Sequence, residues 1–249
     1  MNRITPTICS WLLLMSQVFA QNPVRIPGPG GRSAAALAPT FVQVASCQPS
    51  GALTVTCSFT NPVGVGDSVT AFASWITGGT ITISSVVDGD SNSYSNTAWA
   101  SGATACVSNG SDTRLYSRFN ITQNDAGTET ITITFSSAPS FSAAISMVES
   151  NGASAIDQAD CAPQIGVTTP TSPSVTTSVP DFLHAYGFNT NEDSRTWTAG
   201  TTPAYTLRGA NGNLNSQETF SQTSAGAVTG NFSVNTSDNF STAIVAVKP

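Results

Sequence analysis

Residue types that could carry out chemistry are few in this chain and lie far apart. Ser68, His184 and Asp181 supply a nucleophile, a base and an orienting acid, the set that acyl transfer needs. Glu149, Asp157, Glu192 and Glu218 are the carboxylates from which a glycosidase pair would have to be drawn. Asp88, Asp90 and Asn92 place oxygen donors at alternate positions, as a calcium loop opens. His184 is the only histidine, so a zinc site built from several imidazoles is excluded.

Each set has a plainer reading. Gly66-Asp67-Ser68 resembles the Gly-Asp-Ser block of one esterase family, 181–184 its Asp-x-x-His, and Asn124-Asp125 its Asn-Asp block. That family builds its site on a parallel α/β sheet, whose crossover helices have no counterpart here, and the glycine required before Asn124 is Thr122. His184 alternates with Phe182, Tyr186 and Phe188 on one strand face, where a hydrogen-bonded core imidazole is expected. Glu149 closes an apolar strand and is expected to be semi-buried. The calcium loop lacks its bidentate Glu, since that position is Trp99, and turn chemistry accounts for residues 88–92. A structural calcium site at Asp88, Asp90 and Asn92, finished by distant carboxylates, is the second reading. For sugar stacking, Trp75, Tyr94, Trp99, Trp197 and Tyr205 are available, with core packing as the competing role. Trp197 and Tyr205 flank a loop whose Gly200, Thr201, Thr202 and Pro203 suggest exposure. Trp197, Tyr205 and Trp99 are therefore the candidate ligand-binding residues.

The elements that position these residues begin after an export leader. Arg3 and an apolar stretch ending at Val18-Phe19-Ala20 read as a signal peptide over 1–20, cleaved after Ala20. Residues 21–40, rich in Pro and Gly, read as a linker. Residues 41–249 remain for one folded domain, and no other segment is long and apolar enough to span a membrane. Only 9% of residues are charged, and loss of Arg3 leaves seven basic against fourteen acidic residues. Nucleic acid and anionic membranes need clustered cations, so neither is an expected partner. Cys47, Cys57, Cys106 and Cys161 form an even set, which in an exported chain favours two disulfides. Three pairings are open. The short separation of Cys47 and Cys57 favours that pair as two side-by-side hairpin strands, leaving Cys106 with Cys161.

Period-two alternation dominates after Phe41, as in ALTVTCSF (52–59), SVTAFASWI (68–76), TETITITF (128–135) and FSTAIVAV (240–247). Turn signals such as Asn61-Pro62, Asp88-Gly89 and Asn211-Gly212 separate the segments. The pattern predicts an all-β, antiparallel, jelly-roll-like β-sandwich, with the last strand central in its sheet. Two similar blocks, starting near Asp67 and near Asp181, each run strand, turn, strand, which falls short of a duplication.

VVDGDSNSY (86–94), LYSRFNITQNDAGTETITITFS (115–136), ISMVESNGASAIDQ (145–158), PDFLHAYGF (180–188) and AYTLRG (204–209) occur here in that order. Together they resemble a group of exported β-sandwich proteins of environmental bacteria, with departures at Ser91, where glycine is usual, and in the four cysteines. The resemblance implies a sandwich in a surface or extracellular setting and supplies no catalytic residues. The expected function is a non-catalytic binding or adhesion module at the cell surface or in the medium, carbohydrate being the leading ligand. A structural role through self-association or other envelope proteins is the alternative, and a secreted hydrolase is third.

Overall fold

The computed structural model describes residues 37–249 except 50, 77–79, 123–129, 140–142, 192, 194 and 212–213. The signal segment, most of the linker, Asn124-Asp125 and Glu192 lie outside the described residues. Ala36–Pro249 forms one compact unit. Its first half carries β1 (Thr40–Cys47), β2 (Thr54–Ser58), β3 (Ser68–Ile76), β4 (Ile83–Asp88), β5 (Ser95–Thr97), β6 (Cys106–Ser108), β7 (Ser111–Arg118), β8 (Thr130–Phe135) and β9 (Ala143–Asn151). The second half carries β10 (Ala155–Val167), β11 (Val175–Thr177), β12 (Phe182–Asn189), β13 (Trp197–Ala199), β14 (Thr206–Asn211), β15 (Asn215–Ser221), β16 (Gly226–Val228), β17 (Phe232–Val234) and β18 (Asp238–Lys248).

All strand pairs among the described residues are antiparallel, as the alternation predicts. The all-β antiparallel sandwich that the alternation predicts is what forms, and its sheets fall into two sets, one from each half of the chain. The first half has an inner sheet ordered β1-β9-β3-β7-β5, with β6 also on β7, faced by an outer sheet β2-β8-β4. The second half repeats this as β10-β18-β12-β15-β14, faced by the pairs β11-β16 and β13-β17. In both, the first strand pairs with the last and the chain alternates between layers, which is jelly-roll order. Even the irregularities recur, with bulges between Phe41 and Gln43 on β1 and between Ile156 and Gln158 on β10. The repeat is hidden in sequence because the two copies share register and layer, not residues.

The two inner sheets pack face to face, giving four layers and three cores. The outermost cores lie within each roll: Trp75, Ile131 and Met147 in the first, Leu183, Trp197 and Ile244 in the second. The middle core joins the rolls through Phe72, Trp99, Leu115, Tyr186 and Val245. Phe72 stacks on Tyr186 at 5.1 Å between centroids, and Thr70 bonds His184 at 3.1 Å. Both contacts join residues 114 apart, the offset that also separates Asp67 from Asp181. Positions at the same offset in the two halves thus meet across the middle core.

The disulfides are Cys47–Cys57 and Cys106–Cys161, with Cα separations of 5.6 and 6.1 Å. Cys47–Cys57 does not join neighbouring hairpin strands: β1 and β2 lie in facing sheets, so the bond staples the layers of the first roll. Cys106–Cys161 links β6 to β10 and so ties one roll to the other. Two disulfides fit an oxidising compartment. Among the described residues no helix is long and apolar enough to cross a membrane.

β18 lies between β10 and β12. Ending the chain at Thr242 strips both neighbours of their partner, and loss of a cooperative thermal transition is expected. Ser91 has φ of 67°, a left-handed conformation that costs a side-chain-bearing residue about 1–2 kcal/mol. Ser91→Gly should raise unfolding stability by about 1 kcal/mol, read as a higher urea midpoint; a lower midpoint refutes the strain.

Candidate binding groove

Ser68, His184 and Asp181 do not assemble into a triad. Ser68 Oγ donates to the Ala153 carbonyl at 2.8 Å. His184 is fully buried, with Nδ1 3.1 Å from Thr70 Oγ1 and Nε2 3.0 Å from Gln217 Oε1. An Nε2–H donor to the Gln217 carbonyl leaves Nδ1 to accept the Thr70 hydroxyl. Burial, partly opposed by the bond to Gln217, pushes the imidazole down to about 3, so it stays neutral. Gln217 then donates to Ala45 O at 3.2 Å, completing a wire from β3 through β12 and β15 to β1. The core reading of His184 is the one the structure shows.

The three candidate stacking rings are core residues as well. Trp99 is 2% exposed and lies parallel to Phe72, 6.3 Å away between centroids. Trp197 is 5% exposed and packs edge-on against Phe232 and Phe240. It reaches the inner sheet because Gly187 has no side chain; a Cβ there would lie 2.7 Å from the indole. Tyr205 is 7% exposed and donates its hydroxyl to Thr229 O at 3.1 Å. The loop 198–204 does face outward, but its flanking rings turn beneath it, because the thin outer layer needs them to cover β12 and β18.

Asp88 also turns inward. Its Oδ1 accepts the Asp90 and Asn92 amides at 3.0 and 2.7 Å, and its Oδ2 pairs with the Arg118 guanidinium. A cationic side chain thus stands where a calcium ion would. Asp90 is exposed, and the Asn92 carboxamide donates back to Asp88 at 3.0 Å. Turn geometry accounts for the three oxygen donors, and among the described residues no three metal-ligating side chains converge.

Glu218, on β15, is completely buried. Its Oε2 accepts the Gly200 amide at 2.8 Å and its Oε1 the Asn231 amide at 3.0 Å. Burial raises the carboxyl to about 7 against the pull of those amides. Glu218 is therefore a clamp across the two loops of the second roll. Above it, Thr169, Thr171, Thr201, Asn231 and Ser233 line a cleft of about 310 Å³.

A groove of about 300 Å³ opens in the first roll, where sequence reasoning put no site. Its cause is topological. β5 pairs with β7 and not with β4, so beyond the Val87–Ser93 bridge and the Tyr94-to-Val86 hydrogen bond the two layers part. Residues 83–86 of β4 line it together with Ser93, Tyr94 and Asn96. From β7 come Arg114 and Tyr116, part of the period-two stripe Asp112, Arg114, Tyr116, Arg118. Arg114 Nη2 pairs with Asp112 Oδ2 at 3.2 Å, and its guanidinium lies 5.5 Å from the Trp75 ring centre. Burial raises both the Asp112 carboxyl and the Tyr116 phenol, outweighing Arg114 in each case. The groove thus offers hydroxyls, an amide and a charge-balanced guanidinium, a set suited to multiple directed hydrogen bonds. The tyrosines at 94 and 116 could have marked it; the arginine was visible, but not its opening.

Comparison with known proteins leaves the groove without a precedent. No family model matches the chain, and no curated protein or solved structure shows significant similarity to it.

Removing the Glu218 clamp strands two buried amides, each costing about 1–3 kcal/mol. Glu218→Ala should therefore destabilise by on the order of 2–4 kcal/mol and speed thermolysin cleavage within 198–204. Unchanged stability and cleavage would remove the clamp.

Proposed function

We propose that the protein is an exported, non-catalytic binding module that holds a carbohydrate in the groove between β4, β5 and β7. The observation that carries this reading is the groove's lining: Ser84, Ser85, Ser93, Asn96 and Arg114 present hydrogen-bonding groups over a floor backed by the buried Tyr94 and Tyr116, without an excess of either charge. Sugars are recognised by a few convergent directed bonds of this kind. The leader, the linker and the resemblance to exported sandwich proteins support a place at the cell surface or in the medium, and the disulfides agree with it. A hydrolase is less well supported, because Glu149, Asp181 and Glu218 are fully buried and do not line the groove.

The test is a binding screen of the oxidised protein against soluble neutral and uronic polysaccharides. Saturable binding is expected, weakened about tenfold by Asn96→Ala or Arg114→Gln, the loss of about 1.4 kcal/mol that one well-made polar contact can supply. Trp197→Phe, well outside the groove, should bind as the parent does. Absence of binding to every polysaccharide overturns the carbohydrate reading and brings self-association or an envelope partner forward.

A further inference from the structure

The cleft above Glu218 lies in the other half of the chain from the groove and shares no residue with it. Three neighbouring segments of the outer layer build it, with β17 in the middle. On one side β17 pairs with β13, from Trp197↔Val234 to Ala199↔Phe232. On the other side residues 168–172 run antiparallel to it. The Val234 amide donates to the Thr168 carbonyl at 2.9 Å, Phe232 to Pro170 at 2.9 Å, and Ser172 to Gly230 at 2.8 Å. Pro170, Ser172, Phe232 and Val234 are buried, so period-two alternation turns Thr169, Thr171, Asn231 and Ser233 outward.

The cleft opens because the β13–β17 ladder stops at Ala199. The next two amides, of Gly200 and Asn231, turn inward to Glu218 rather than across the ladder. Gly200 lies this close only for want of a side chain, since a Cβ there would collide with the Asn231 carbonyl and carboxamide. The chain then turns outward through the exposed Thr201 and Thr202, and Asn231 Nδ2 ties that turn down by donating to the Thr202 carbonyl at 3.0 Å. On the far wall Thr171 Oγ1 donates to the Thr169 carbonyl at 3.0 Å, and the Thr171 carbonyl accepts Thr242 Oγ1, from β18, at 3.0 Å. Both walls are thereby fixed before a ligand arrives, which lowers the ordering cost of binding.

What the walls offer is neutral. Among the described residues no lining side chain is titratable, and the carboxyl beneath is engaged by two backbone amides. Thr169, Thr201 and Ser233 are exposed, and among the described residues their hydroxyls meet no partner. Each hydroxyl donates one hydrogen bond and accepts two. An anionic ligand finds no cation here, a metal ion no carboxylate, and an apolar ligand little beyond Ala199. A neutral sugar, which carries donors and acceptors at closely spaced positions, matches all of these terms. We propose that this cleft is a second binding site, for a neutral carbohydrate, so that the domain is bivalent with one site in each roll. The choice of carbohydrate rests on the reading of the groove; the residues and the opening do not.

The experiment is an amide-resolved NMR titration of the oxidised protein with neutral gluco-, manno-, galacto- and xylo-oligosaccharides and with an oligogalacturonide. Saturable shifts are expected at Thr171, Thr201 and Ser233 with at least one neutral sugar, and weaker binding of the oligogalacturonide there. Thr201→Val/Ser233→Ala removes two exposed hydroxyls without touching the core. It should weaken binding at the cleft about tenfold or more, while Ser85 and Asn96 of the groove titrate as in the parent. Asn96→Ala should do the reverse. The second site is overturned if those three amides stay still with every sugar, or if the double variant titrates there as the parent does. Tighter binding of the oligogalacturonide than of every neutral sugar at the cleft overturns it too. Failure of the groove reading shows separately, as silence at Ser85 and Asn96.

Discussion

Face-to-face packing of the two inner sheets is the contact on which everything else in this molecule depends, because it buries each of those sheets on both sides. β3 and β12 are almost wholly buried over their lengths, and each sends one face into its own roll and the other into the middle core. A single roll with that inner face exposed would show water a sheet bearing Phe72, Leu115 and Val148, a patch of the kind soluble monomers rarely carry. The two rolls are therefore not separable modules. Cys106–Cys161, the Thr70–His184 bond and the Phe72–Tyr186 stack fasten the same interface by covalent, polar and dispersive means.

Burial on both faces has a cost in polar groups, and it explains why this core is unusually polar. β15 reads Asn-Ser-Gln-Glu-Thr and is buried over those five residues. Gln217 is there to satisfy His184, Glu218 to hold two loop amides, and Asn215 to reach Ser46 of the first roll at 3.2 Å. Partnered in this way, such groups fix the register of one roll on the other, which apolar contacts alone specify weakly. The outer layers carry the opposite burden. Opposite Ile131 and Ile133, β2 and β8 turn Thr54, Thr56, Ser58, Thr130, Thr132 and Thr134 outward, so the surface is made of hydroxyls.

What the sequence shows and hides follows from that division. Strands with one apolar and one hydroxyl-bearing face, such as β2 and β8, alternate cleanly and are legible. The apolar strands β3, β9 and β18 are legible as continuous runs. β15 escapes because its buried residues are polar, and β10 because an edge strand tolerates Asp157, Pro163 and a bulge that break the alternation. The repeat of strand order is invisible since it lies in register and layer. For the site, periodicity places Arg114 and Tyr116 on one face of β7, but nothing local says that β5 abandons β4 and opens a groove there. Conversely, Trp197, Tyr205 and Trp99 look available only until the thinness of the outer layer and the presence of a second roll are known.

Scarcity of cations explains how the buried acids behave. Among the described residues Arg114, Arg118, Arg195 and Lys248 are each committed to a carboxylate, namely Asp112, Asp88, Asp238 and Asp157. Arg208 lies instead over the Phe41 ring, 3.6 Å from its centre, where it helps join β14 to β1 across the rolls. Glu149, Asp181 and Glu218 are left to be satisfied without a salt bridge of their own. A buried carboxyl in that position has two recourses, backbone and amide donors or a retained proton. Glu218 and Glu149 take the first and Asp181, whose oxygens meet no donor, the second, and all three end with values raised to about 7 because burial outweighs what the donors return. In a chain so poor in basic residues, raised carboxyls in the core are thus a consequence of how that core is built.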